Sequence, residues 1–384
     1  MKAAREMAGV YIHIPFCKQA CRYCDFFFTV SKGLKKQFVD CLLGEIRMRA
    51  GEFEGRPADT LYLGGGTPSL LTEEELDRIL EEIHRHVAIP EDAEQTIECN
   101  PDDMDREFLE QLRKRGFNRI SIGVQSFREE DLQLMRRSHT AGRGEEAVSE
   151  AAGEGFENIT IDLIYGLPGQ TLLRWEENLS RALSLPISHL SAYHLTYEPG
   201  TVFDHWRKKG RLIPLQDEES EQMFLLLREK LEQHGFDHYE ISNFARAGKM
   251  SAHNLIYWTG KPYVGFGPSA HSFNGATRSW NVSSMKKYLE GIPGGMTVRE
   301  EEHLQPDQQY HDYLITSLRT KWGADPEYIR EQFGRDRHDF FVKGSEKFLR
   351  EGTMVIRDGK VAIRQDKWLI ADYILRALFI LIQE

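Results

Sequence analysis

The apolar positions of this chain change rhythm twice. From residue 9 to about 200, short strand-like runs alternate with stretches whose apolar residues recur at helical spacing. The runs fall at 10–14, 60–63, 95–99, 119–124, 159–164 and 190–195 and are rich in Val, Ile and Leu. After the first run, Phe38, Leu42, Leu43 and Ile46 form one helical stripe; after the second, Leu76, Ile79, Leu80 and Ile83 form another. Thr72 followed by Glu75 reads as the capping box that starts that second helix. Six strand–helix alternations predict an α/β fold, with a parallel sheet and helices packed outside it. Periodicity leaves two forms open, a barrel and an open doubly wound sheet.

Beyond Tyr197 the pattern loosens. A helix is expected over 218–231, then a strand-like HYEISNFA, then an irregular stretch rich in Gly, Asn and aromatic residues from 253 to 281. From about residue 306, three helical segments precede MVIRDGKVAIR, two alternating runs joined by Asp358–Gly359, a strong hairpin signal. A last helix is expected over 370–382. This order predicts a small winged-helix-like α+β domain. The domain organisation is therefore read as 1–215, a barrel or sheet core; 216–300, its extension; and 301–384, the C-terminal domain.

Composition narrows the function classes. Of 384 residues, 40% are hydrophobic and 28% charged, as in ordinary globular chains. A formal net charge of −11 argues against non-specific nucleic-acid binding and gives no reason to expect attraction to anionic lipid, so no nucleic-acid partner is expected. It leaves room for a local basic pocket that takes an anionic ligand. No apolar run reaches the roughly 18 residues of a membrane span, and the segment before the first cysteine lacks the apolar stretch of a secretion signal. The expected location is the cytoplasm, with no membrane association indicated.

Three of the five cysteines lie within eight residues, in YIHIPFCKQACRYCDF over 11–26. An odd total without a secretion signal is a poor disulfide framework. Thiolates on a tight loop suit a soft metal, either zinc or an iron–sulfur cluster. Structural zinc asks for a fourth ligand, and neither Cys41, in a helical stripe, nor Cys99, at a strand end, supplies an obvious one. A [4Fe–4S] cubane on Cys17, Cys21 and Cys24 would keep one iron open for a chelating aminocarboxylate.

Other strand ends also carry chemistry. LYLGGGTP over 61–68 places three glycines where backbone N–H groups can approach a ligand, with Thr67 adding a hydroxyl; a tight turn is the plainer reading. Glu98, Gln125 and Asp162 are polar residues at or near the ends of apolar runs. A carboxylate inside such a run is costly unless it is paired, so each is either a hydrogen-bonded structural group or part of a site. In HNLIYW, His253 and its aromatic neighbours are either a hydrogen-bonded core histidine with core rings or an axial ligand with stacking surface for a porphyrin. His13, His194 and His271 compete with it.

The cysteine segment, with its flanking YIHIPFC and YCDF, resembles the radical SAM superfamily, in its anaerobic coproporphyrinogen-oxidase-like branch. That resemblance implies a partial (β/α)6 barrel, a [4Fe–4S] cluster and S-adenosylmethionine (SAM), whose methionine end chelates the open iron and whose sulfonium is cleaved by an electron from the cluster. It implies SAM contacts from Tyr11, Tyr23, Gly65, Gly66, Thr67, Glu98, Gln125, Arg137 and Asp162, although Arg136 adjoins Arg137 and either could supply the guanidinium. The oxidases continue their motif with a fourth cysteine two residues after the third; here that position is Phe26. With HNLIYW, this departure resembles the heme-chaperone members of the family. They imply heme as cargo, an unidentified heme-acceptor protein as partner, and a heme contact from His253, Asn254, Tyr257 and Trp258. On this reading no catalytic residue is assigned and coproporphyrinogen decarboxylation is not expected. The oxidase is the alternative.

Overall fold

The computed structural model describes residues 9–380, apart from 54 and 297. Six parallel strands form its centre: β1 (Gly9–Ile14), β2 (Thr60–Gly65), β3 (Glu94–Cys99), β4 (Arg119–Gln125), β5 (Asn158–Tyr165) and β6 (His189–His194), hydrogen-bonded in that order. Helices such as Lys35–Arg49, Glu73–His86, Ala141–Gly153 and Leu172–Ser184 connect them. The alternation of each strand sorts its side chains. Val10, Ile12 and Ile14 of β1, and Ile159, Ile161 and Leu163 of β5, are fully buried in the main apolar core. Each such residue contributes about 1.5–3 kcal/mol of burial. The residues between them, Tyr11, His13, Thr160 and Asp162, face the other way. Apolar packing against the helices thus leaves a polar interior.

The sheet continues on both sides. Next to β6 lie β8 (Asn243–Ala245) and then β7 (Asp237–Glu240), antiparallel to each other. HYEISNFA, expected as one strand, is thus a hairpin that turns at Ile241 and Ser242. Next to β1 lies β9 (Tyr263–Phe266), parallel to it, followed by antiparallel β10 (His271–Phe273), β11 (Thr277–Asn281) and β12 (Arg299–His303). The stretch expected to be irregular therefore holds a helix, Ala252–Trp258, and three strands too short to show a period. Pairing of β12 with β11 also carries the sheet past the boundary placed at residue 300.

The helix Ala252–Trp258 packs at the N-terminal ends of the strands. Glu94, first residue of β3, accepts the N–H groups of Ala252 and His253 and so caps the helix. Gly9, first in β1, lets this helix approach closely: a Cβ there would meet Ile256 at 2.9 Å and His253 at 3.0 Å. The C-terminal region runs as expected, with helices Pro306–Leu318, Pro326–Phe333 and Arg335–Arg350, then the hairpin β13 (Met354–Arg357) and β14 (Lys360–Ile363). Its turn residues, Asp358 and Gly359, both have positive φ, as a type I′ turn demands. The final α-helix is Ala371–Leu378, preceded by a 3₁₀ turn from Gln365 to Ile370; it is shorter than the helix expected over 370–382, since the backbone is already extended at Phe379, and 381–382 lie outside the described residues. No helix among the described residues is long and apolar enough to cross a membrane.

Candidate cluster and cofactor cavity

The loop after β1 is closed at its neck, where the Cys17 N–H donates to the Thr29 carbonyl at 3.0 Å and the Thr29 N–H to that of Pro15 at 2.6 Å. Arg22 then anchors it. Its N–H donates to the Met135 carbonyl, its guanidinium to those of Gln133 and Leu134, and its charge sits 4.8 Å from the centre of the Trp206 ring. Cys17, Cys21 and Cys24 are held half-buried as free thiols.

Burial raises the Cys17 thiol, and it pushes Cys24 up to about 12. A thiolate in this place therefore needs a cation to balance it, which is what ligated iron provides. Thr67 donates its hydroxyl to Cys17 Sγ at 3.6 Å, and Arg137 donates to Cys21 Sγ at 3.5 Å, so two of the sulfurs already have donors aimed at them. A cubane gives each thiolate its own corner iron, and three cysteines on one loop beside the cavity fit that group.

Beside the loop a cavity of about 820 Å³ opens at the C-terminal ends of the strands, where barrels of this kind carry their sites. Gly65, Gly66, Thr67, Glu98, Gln125, Arg137 and Asp162 all line it, together with Tyr23 and the three cysteines. Gly65 has φ 110°, and a Cβ on it would lie 2.5 Å from the His13 ring; on Gly66 a Cβ would lie 2.7 Å from the Phe16 carbonyl oxygen. Only glycine leaves this backbone open to a ligand. Glu98 accepts from the Gly65 N–H at 3.0 Å and from the Tyr62 hydroxyl at 2.8 Å. Loss of water contact nevertheless pushes its carboxyl up to about 7, with nearby Asp162 adding to the rise.

Asp162 is raised to about 6, again chiefly by burial, against hydrogen bonds from Ser191 and Ser121. Gln125 ends β4 at φ 66°, a left-handed conformation beside an irregularity in the β4–β5 register, and such strain gathers at ligand sites. Arg137 bridges Asn100, the Gly123 carbonyl and Cys21, and its buried Nε has no hydrogen-bond partner among the described residues. Arg136 is exposed, so the guanidinium at the cluster end of the cavity comes from Arg137. A cradle of glycines, an orphaned guanidinium N–H and two carboxyls fit the aminocarboxylate end of SAM.

Other expected residues fall elsewhere. Tyr11 bonds the His13 ring inside the barrel and does not line the cavity. His253, Asn254, Tyr257 and Trp258 share the helix at the N-terminal ends of the strands, and none lines the cavity either. His253 is buried; its Nδ1 pairs with the Thr60 hydroxyl at 2.7 Å and its Nε2 with that of Tyr257 at 2.8 Å. Both ring nitrogens are thus engaged in the core, the geometry of a hydrogen-bonded core histidine. His13 is likewise buried, whereas His194 lines the cavity. Tyr193, Phe224, Ile241, Arg319, Trp368, Leu369 and Asp372 also line it, and sequence reasoning missed them. No local motif marks them, because they meet only through the packing of the C-terminal domain.

A radical SAM superfamily model matches residues 11–182. The heme chaperone HemW of Bacillus subtilis (strain 168) is 37% identical over 353 residues, covering 91% of this chain and 93% of the relative. This chain belongs to the HemW family. The HemW of Synechocystis is 42% identical, covering 82% of this chain and 79% of that one. Among solved structures, coproporphyrinogen III oxidase (HemN) from Escherichia coli, a radical SAM enzyme, superposes with a TM-score of 0.85 at 26% identity, covering 98% of this chain and 91% of its own. This chain thus shares its partial radical SAM barrel with an oxidase. As a radical SAM protein the chain carries a [4Fe–4S] cluster and SAM; Cys17, Cys21 and Cys24 would hold the cluster, which would supply one-electron chemistry beside the cavity.

Proposed function

We propose that this protein binds heme and hands it to an acceptor protein, with the cluster and SAM supporting that transfer. The observation that carries the reading is the match to heme chaperones along nine-tenths of both chains. Phe26 supports it: this side chain is 67% exposed at the cavity rim, at the position where the oxidases place a fourth cysteine. In this reading Cys17, Cys21 and Cys24 hold the cluster. Tyr23, Gly65, Gly66, Thr67, Glu98, Gln125, Arg137 and Asp162 hold SAM. Five free thiols and an oxygen-sensitive cluster suit a reducing compartment, the cytoplasm.

The likeness to HemN favours a second reading, oxidative decarboxylation of coproporphyrinogen III. One experiment separates the two. Anaerobically reconstituted protein is titrated with heme while the visible spectrum is recorded, and the same sample is assayed for porphyrinogen conversion with SAM and reductant. The expected result is a Soret band that saturates near one equivalent, with no conversion. Conversion without heme uptake overturns the carrier reading in favour of the oxidase.

A further inference from the structure

The cavity extends past the cluster loop to the seam between the barrel and the C-terminal domain. There Phe224, Ile241, Trp368 and Leu369 give it an apolar wall, and Arg319 and Asp372 give it a charged pair. Three cations line the cavity among the described residues. Lys18 is ion-paired with Asp103, and Arg137 is engaged by Cys21, Asn100 and Gly123, so both serve the cluster end. Arg319 comes from the C-terminal domain.

Its guanidinium is half-used. Nη2 donates to Asp372 Oδ1 at 2.6 Å, while Nε, on the same edge and sealed from solvent, has no hydrogen-bond partner among the described residues. Nε and Nη2 together form the fork that matches the two oxygens of a carboxylate. Asp372 fills one tooth of it, and at 69% exposure it makes a weak, displaceable partner. A second orphan lies in the same wall: Trp368 is 1% exposed, lines the cavity, and its indole N–H also has no hydrogen-bond partner among the described residues. Two unpartnered donors sealed within an otherwise apolar wall suit a flat apolar ligand with an anionic edge once side chains shift to admit it.

We propose that Arg319 receives a propionate of the bound heme, exchanging Asp372 for it. The inference rests on the carrier reading and adds the edge by which the porphyrin is held. An acidic side chain of an acceptor protein could use the same fork, so the test contains no acceptor. Wild-type protein is titrated with heme and with heme dimethyl ester, whose propionates cannot pair with a guanidinium. The ester is expected to bind ~10-fold more weakly or worse, as loss of a charged hydrogen-bonded pair implies.

Arg319→Gln should lower heme affinity to the level of the ester and leave ester affinity unchanged. Asp372→Asn, which frees the fork, should tighten heme binding. Equal wild-type affinity for heme and ester, or an Arg319→Gln loss that is the same for both, overturns the propionate seat. If wild-type protein takes up neither ligand, the carrier reading itself falls. The wild-type comparison needs no variant, so a folding defect in Arg319→Gln cannot mask the answer.

Discussion

His253 is gripped from both sides of its ring, by Thr60 at the start of β2 and by Tyr257 one helical turn on. Burial holds its pKa down to about 3, so the ring is neutral, and it stacks on Tyr62 with ring centres 4.8 Å apart. His253→Ala is expected to cost roughly 2–4 kcal/mol, from two lost hydrogen bonds and a cavity beneath the barrel. Urea unfolding measures that cost. Heme titration of the same variant should give the wild-type affinity, and loss of the Soret band in a folded variant would return the ligand role to this histidine. The residue shows where local sequence stops being informative. Cys17, Cys21 and Cys24 could be read because their spacing is itself the site. The meaning of His253 depends on Thr60, a strand residue far away in sequence, and HNLIYW alone does not contain it.

Secondary elements were legible wherever they were long enough to show a period. The six central strands begin and end within a residue or two of their apolar runs. The capping box forms as expected, with the Thr72 N–H donating to Glu75 at 2.9 Å and the Glu75 N–H to the Thr72 hydroxyl at 3.3 Å. Strands of three to five residues, such as β8, β10 and β11, exist because a neighbour pairs with them, and their own sequences carry too few alternations to reveal it.

The hairpin of β7 and β8 has a measurable consequence. Its Glu240 is fully buried, its Oε1 lacks a hydrogen-bond partner among the described residues, and burial pushes the carboxyl from the ordinary 4.5 up to about 7. The folded protein therefore keeps a proton that the unfolded chain releases, so the contribution of this group to stability is full below about pH 4.5 and is lost as pH rises through about 7. Glu98, raised for the same reason, acts in the same direction. Glu240→Gln should flatten part of this slope and stabilise the protein at pH 8 by roughly 1–3 kcal/mol. Urea midpoints at pH 5 and pH 8 test it, and an unchanged gap between them would show that the carboxylate is compensated.

At the scale of the whole molecule, the C-terminal domain is clasped to the edge of the sheet. The Ile241 N–H donates to the Arg319 carbonyl and the Lys321 N–H to that of Tyr239, so the chain after Leu318 pairs with β7 and its turn. Lys321 is ion-paired with Asp237, and Gln365 donates to the His238 carbonyl at 2.6 Å. Trp368 sits edge-on to the His238 ring, with centres 4.4 Å apart, and His238 in turn stacks on Phe244 at 3.9 Å. Residues that close the cavity are thus the same ones that join the domain to the barrel. Binding and folding share this seam, which no motif announces because its two sides lie far apart in sequence. Trp368→Ala removes the ring that spans it. Such a truncation costs about 3–5 kcal/mol in a packed core. Because the loss falls between two otherwise intact bodies, it should uncouple them. Calorimetry of wild-type protein is expected to show one transition, and that of Trp368→Ala two, with the C-terminal domain melting first. A single transition displaced to lower temperature would mean that the backbone pairing of Ile241 and Lys321 is enough to keep the molecule one cooperative unit.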